Sequence, residues 1–206
     1  MRQEDIERQL AAADALYQEV LHLTPPLQMP RYQQADFMMV ILRADQTRGG
    51  QAYDEVVRTP SVPECHIRMA LGGQVDATYN LTPAHELFHL YQNAHMMFKQ
   101  AWVHEGLARW AESLFRGDGQ RGPALPADRD ALEAVMQSSY SAVAFWQRLF
   151  YLVDAQGDVA VPEALVSQRY HNGQPIVALG RIYGADFVPH LFAELHQAGV
   201  AASYRE

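Results

Sequence analysis

Residues 82–95 read Thr82-Pro83-Ala84-His85-Glu86-Leu87-Phe88-His89-Leu90-Tyr91-Gln92-Asn93-Ala94-His95, and residues 102–112 read Trp102-Val103-His104-Glu105-Gly106-Leu107-Ala108-Arg109-Trp110-Ala111-Glu112. Thr82-Pro83 has the pattern of a helix N-cap followed by proline at the first helical position. A helix is expected from there to about Phe98, and a second from about Trp102 to Phe115. On a helix, residues four apart share a face. His85 and His89 can therefore present both imidazoles to one ion. Glu86, beside His85, faces the same opening and can take a proton from a metal-bound water without being a ligand. The alternative is two helix histidines in ordinary hydrogen bonds. Zinc suits imidazole and carboxylate ligands, and three protein ligands leave a fourth position for water.

Two residues compete for the third position. Glu105 follows His89 by sixteen residues, early in the second helix. If the chain reverses near Lys99-Gln100, that helix packs back on the first and aims Glu105 at His85 and His89. His95 gives the spacing HExxHxxxxxH, in which metzincins place glycine where Gln92 stands. Asn93 can adopt the left-handed conformation, but Gln92 does not favour the sharp turn. If the helix continues, His95 lies about 240° round from His89 and cannot share the ion. Geometry favours Glu105.

HELFH followed by WVHEGLARWAE resembles the gluzincin metallopeptidases, the group that contains thermolysin and the zinc aminopeptidases. The resemblance covers residues 80–115. It implies a zincin-like fold, with His85, His89 and Glu105 as zinc ligands, Glu86 as general base and acid, and a peptide or protein substrate. The aminopeptidase motif GxMEN is not found, so no one substrate preference is implied. Members also carry a tyrosine or histidine that hydrogen-bonds the oxyanion. Tyr140, opening the aromatic-rich SYSAVAFWQRLF, is the first choice, with Tyr183 and His171 behind it. A donor of this kind acts on charge that develops in the transition state. Two other readings stay open: a non-catalytic module keeping the same fold to bind peptide or a structural metal, and an enzyme held latent.

Outward from this centre, Ile6, Leu10, Ala13, Tyr17, Val20 and Leu21 recur at helical spacing, predicting a helix over 3–22 stopped by Pro25-Pro26. The apolar run 36–43 predicts a buried strand. Residues 44–64, with Gly49-Gly50, Pro60 and Pro63, read mostly as loop. Residues 65–71 alternate and predict a half-buried strand, able with the following Gly72–Tyr79 segment to border the cleft and pair with an extended peptide. Residues 117–128 read as a loop. Helices are expected over about 129–137, 140–155, 162–170, 174–182 and 185–198. The fold class is α+β in one domain spanning 1–206. Its N-terminal lobe, about 1–98, carries a small sheet and the HExxH helix, and its C-terminal lobe, about 99–206, is mainly helical.

Among the other conspicuous residues, His104 adjoins Glu105 but is expected to point elsewhere. Arg109 and Glu112 share the side of Glu105, and Glu112 can either orient a ligating histidine or form a surface ion pair. Trp102, Trp110, Trp146 and the two Met-Met pairs read as packing, and Cys65 as a buried apolar side chain.

Length, charge and cysteine content bound the rest. The 206 residues carry a net charge of −8 with 49% hydrophobic and 19% charged residues. This is a globular composition. The acidic balance argues against a nucleic-acid partner and a polybasic membrane-surface role. One cysteine excludes an internal disulfide framework. No signal-peptide pattern or apolar run of membrane-spanning length is seen, so the expectation is a cytoplasmic protein if the chain is full length.

Overall fold

The computed structural model describes residues 2–45, 47–97, 99–117 and 120–203. Helix α1 spans Arg2–Ala15 and runs on into a π-helical turn, Leu16–Val20, closed by Leu21 N–H to the Leu16 carbonyl at 3.0 Å. The change of pitch keeps Leu16, Tyr17, Val20 and Leu21 in the core. The chain then turns through His22, whose φ is 53°, before the two prolines.

Strand β1 is Phe37–Leu42. The stretch read as loop contains two short strands, β2 (Gly50–Ala52) and β3 (Val57–Thr59), and β4 begins early, spanning Val62–Leu71. β4 is the centre of the sheet. β1 runs parallel along one edge, while β2 and β3 pair antiparallel along the other. The alternation at 65–71 therefore understates burial. His66, Ile67, Met69, Ala70 and Leu71 are all buried, at the centre of the sheet and packed against α2, whereas Cys65 is only half-buried. With both edges of β4 occupied, it is not available to an extended peptide, and that part of the sequence expectation is corrected.

Helix α2 is Thr82–His95. It starts one residue earlier than the capping pattern suggested: Leu81 is the N-cap, and Asn80 Oδ1 accepts the Thr82 N–H at 2.8 Å. The predicted end at Phe98 lies outside the described residues, and the helical backbone stops at His95. α2 is buried from Pro83 to Ala94. α1 packs on one side, where Tyr17 meets Phe88 and Tyr91 edge-on and gives its hydroxyl proton to the Ala84 carbonyl at 3.0 Å.

Helix α3, Ala101–Arg116, packs on α2 and ends at Gly117, whose φ of 80° gives the left-handed C-cap. α4 (Arg129–Met136) and α5 (Val143–Val153) follow, the latter preceded by a 3-10 turn at Tyr140–Ala142. α5 approaches α3 at Gly106, where an added Cβ would stand 2.8 Å from the Trp146 ring. Trp146 stacks on Trp102 and donates its indole N–H to the Trp102 carbonyl at 2.9 Å, and Trp110 stacks on Phe150. The tryptophans are thus packing residues, as their sequence reading expects.

Beyond α5 the structure departs from the helical expectation. Only Glu163–Val166 is helical within 162–170, forming α6. Residues 174–182 are not a helix. They run as loop into β6 (Arg181–Ile182), which pairs antiparallel with β5 (Val159–Ala160). Ile176 and Ala178 send their N–H groups to Gln168 and Phe115, so the buried Ile176 and Val177 are held by long-range bonds rather than helical ones. Helix α7, Phe187–Ser203, closes the chain. One apolar core runs continuously from Ile6 to Phe192, joining the two lobes. No helix among the described residues is long and apolar enough to cross a membrane.

Candidate metal centre

A helix buried all round should carry apolar residues, since ionisable groups lose hydration inside a protein. α2 breaks that rule at His85, Glu86 and His89, each under 8% exposed. Their partners come from α3. The antiparallel packing of the two helices brings Glu105 Oε2 to 3.3 Å from His85 Nε2 and 3.3 Å from His89 Nε2. One ligand atom from each of the three residues falls within 4.8 Å of the others. These are zinc-type donors, two imidazole nitrogens and one carboxylate oxygen.

The other ring nitrogens are held from behind. His89 Nδ1 lies 2.7 Å from Gln92 Oε1, and the Gln92 amide donates to the His104 carbonyl at 2.9 Å. His85 Nδ1 is 3.3 Å from Glu112 Oε2, an ion-pair distance without hydrogen-bond alignment. Glu112 is in turn gripped by Arg109 Nη1, 2.7 Å from both carboxylate oxygens. Glu112 thus contacts both His85 and Arg109, and at 8% exposure its ion pair with Arg109 is not the surface pair one sequence reading expected. Such outer contacts fix which imidazole nitrogen faces a metal.

Sequence reasoning misplaced His104. It points into the centre, where its ring lies stacked on that of His89 and its Nε2 is 3.1 Å from Asn93 Oδ1. His104 Nδ1 stands 3.7 Å from Glu105 Oε1. Gln92 was weighed only as an obstacle to a turn, and its grip on His89 was missed. The one signal available was its position three residues after His89, within reach on the same helix face. His95 takes no part. The helix continues through it, and its ring packs edge-on against Phe192.

The electrostatics follow from crowding. Burial pulls the His85 imidazole down, but Glu105 and Glu112 outweigh it and lift it to about 9. Burial also opposes ionisation of Glu105, yet His104, His85 and His89 hold its carboxyl well below the usual range. Glu86 moves the opposite way: burial raises it, against the pull of His89, His85 and the Ala52 N–H. The protein thus keeps one carboxylate firmly ionised among the imidazoles and an adjacent one easier to protonate, an arrangement frequent at catalytic sites.

A cleft of about 930 Å³ opens on this cluster through His85, Glu86, Glu112 and Tyr140. Gln74, Asp76 and Tyr79, from the segment expected to border it, form part of its wall, and so does the start of β2 at Gly50. Tyr140 is 55% exposed at the rim, its ring 6.0 Å from that of His85, and burial with the nearby Glu105 carboxylate pushes its phenol pKa up. Tyr183 and His171 are elsewhere: Tyr183 packs on Tyr151, and His171 binds Asp5. Compared with known family models, curated proteins and solved structures, the chain matches none.

Proposed function

We propose that this protein is a zinc-dependent peptidase of the gluzincin type. The observation that carries the reading is the convergence of His85 Nε2 and His89 Nε2 on a single oxygen of Glu105. Support also comes from an adjacent carboxylate, Glu86, and an exposed phenol, Tyr140, on the wall of one cleft. Held by His85, His89 and Glu105, a zinc ion supplies an acidified water and a Lewis-acid contact for the scissile carbonyl.

The chain's own groups do the rest. Glu86 accepts the proton of the attacking water and delivers it to the leaving nitrogen, a role that its raised pKa suits. The Ala52 N–H lowers the Glu86 carboxyl pKa against the effect of burial. The Tyr140 hydroxyl donates to the developing oxyanion.

The place proposed for the peptide backbone is β2. Gly72 N–H bonds the Gly49 carbonyl and Tyr53 N–H bonds the Arg68 carbonyl, so alternation turns the polar groups of Gly50 and Ala52 away from β4, towards the cleft. An extended peptide added at that edge lies alongside Glu86.

Glu86→Gln is expected to keep one zinc per chain and lose peptide hydrolysis, read by native mass spectrometry with elemental analysis and by cleavage of a quenched-fluorescence peptide library. Glu105→Ala is expected to lower zinc affinity far more than His95→Ala. Failure of the parent protein to take up zinc at neutral pH would overturn the reading.

A further inference from the structure

The cleft is electrostatically unlike the rest of the molecule. The chain has 16 cations against 24 anions. Yet Arg2, Arg48, Arg109 and Arg116 line the cleft, against the carboxylates of Asp76, Glu86 and Glu112. Those carboxylates are engaged: Asp76 Oδ1 accepts from Thr78 N–H and its hydroxyl, Glu86 is drawn by the neighbouring His89 and His85, and Glu112 accepts from Arg109.

Three of the arginines are not so matched. Among the described residues, Arg2, Arg48 and Arg116 form no ion pair with a carboxylate. Arg2 donates to the Gly73 carbonyl at 3.0 Å and Arg116 to the Tyr79 carbonyl at 3.2 Å. Each bond uses one of five N–H groups and neutralises no charge. The guanidinium of Arg48 makes no hydrogen bond to the described residues, although its backbone is pinned. The Arg48 carbonyl accepts from Asn80 Nδ2 at 2.8 Å and from the Thr82 hydroxyl at 3.3 Å. The fold thus fixes the base of this side chain at the N-terminal end of α2 and leaves its charged end open.

Position along α3 adds a ruler. Glu105, Arg109, Glu112 and Arg116 succeed one another at steps of four, three and four, which is one helix face. Arg116 is eleven residues past Glu105, about 16 Å along the axis. An extended peptide covers that length in about five residues.

We propose that the cleft selects peptides bearing a carboxylate within about five residues of the cut bond, bound by Arg48 and Arg116 with Arg2 beside them. The proposal rests on the peptidase reading and names its substrate class. A planar guanidinium pairs with carboxylate through two parallel N–H bonds, a geometry that an amide isostere cannot reproduce with the same charge. A basic cleft in an acidic protein also draws anionic chains towards it and repels them elsewhere.

The test uses the zinc-loaded 206-residue chain and matched peptides that differ by Glu against Gln at each of about five positions on either side of the cut. One set is C-terminally amidated with internal Glu. Another has Gln throughout and a free C-terminal carboxylate, which separates side-chain from terminal recognition. At low salt, kcat/KM is expected to be about tenfold or more higher for a carboxylate peptide. The ratio should fall towards one in Arg48→Gln with Arg116→Gln, and also as salt shortens the Debye length. Arg48→Gln alone touches no side-chain bond of the fold, so it keeps the test valid if the double variant is unstable.

Equal rates for Glu and Gln peptides, or a ratio unchanged by the arginine variants, overturn the proposal and leave the peptidase reading standing. If no peptide is cut, fluorescence anisotropy with labelled hexaglutamate and hexaglutamine decides. Tighter, Arg48-dependent binding of hexaglutamate supports the ligand class while the peptidase reading falls. Equal binding, or none, ends both.

Discussion

The imidazole of His104 lies flat on that of His89, with centroids 4.0 Å apart and planes 6° from parallel. The two residues come from different helices, α3 and α2, so the stack is made by tertiary packing. With Gln92 holding Nδ1 at 2.7 Å, His89 is fixed on one face and one edge and presents Nε2 to Glu105. His104→Ala removes the backing while leaving every proposed ligand in place. Metal affinity is expected to fall roughly tenfold, measured by competition with a chromophoric chelator. His104→Phe keeps a stacking ring and should recover most of it. Parent-like affinity in the alanine variant would show that the stack orients nothing.

Gly50 sits against Glu86, the proposed general base. A Cβ there would meet Glu86 Cγ at 2.5 Å and Thr82 Cγ2 at 2.7 Å. Gly50→Ala must therefore push Glu86 aside or move β2. The expected result is a kcat lower by about 100-fold, since small misplacements of a catalytic group cost that much, with zinc content unchanged. Gly180→Ala, where the added methyl meets open space, serves as the control.

Tyr140→Phe tests the phenol by removing one oxygen from a half-exposed ring. The loss of an oxyanion donor typically lowers kcat by about 100-fold or more. Single-turnover cleavage with metal content measured on the same sample reads this directly. Undiminished cleavage would leave Tyr140 as a residue of the cleft rim and nothing further.

Asp5 and His171 tie α1 to the loop that follows α6. Asp5 is 1% exposed, accepts the His171 N–H at 2.9 Å, and also contacts His171 Nδ1. Burial raises its pKa, but the His171 contacts more than offset that and leave it lowered. A carboxyl depressed in the folded state stabilises it above the unfolded pKa, near 3.8. That stability drains away as pH falls through the folded value. Urea midpoints of the parent should therefore drop below about pH 4 more steeply than those of Asp5→Asn. At neutral pH the variant should be less stable by roughly 1–3 kcal/mol.

What could be read from sequence follows from how local each signal is. α2 announces itself through Pro83 and the four-residue histidine spacing, and β1 through an unbroken apolar run. The turn that returns Glu105 to the histidines is legible because the alternative, His95, fails on helix geometry alone. β2 and β3 are three residues each, too short for alternation to register beside Gly49, Pro60 and Pro63. Their pairing with β4 creates them. Residues 174–182 carry apolar side chains at near-helical spacing, yet Ile176 and Ala178 bond to distant carbonyls. The positions of His104 and Gln92 likewise depend on how two helices meet, which no single-helix pattern contains.

The buried Gln9 carries one more consequence. Its amide donates to the Ala77 carbonyl at 2.9 Å and the Tyr170 hydroxyl at 2.7 Å, while its oxygen accepts the Ala84 N–H at 3.2 Å. One side chain near the start of the chain thus secures the first turn of α2 and a tyrosine 161 positions away. Contacts this remote in sequence form late, because a long loop must close before any of them is rewarded. The first turn of α2, which carries His85, gains this brace only once the segment holding Tyr170 has returned to Gln9, so a chain truncated before Tyr170 is expected to hold the proposed ligands less firmly.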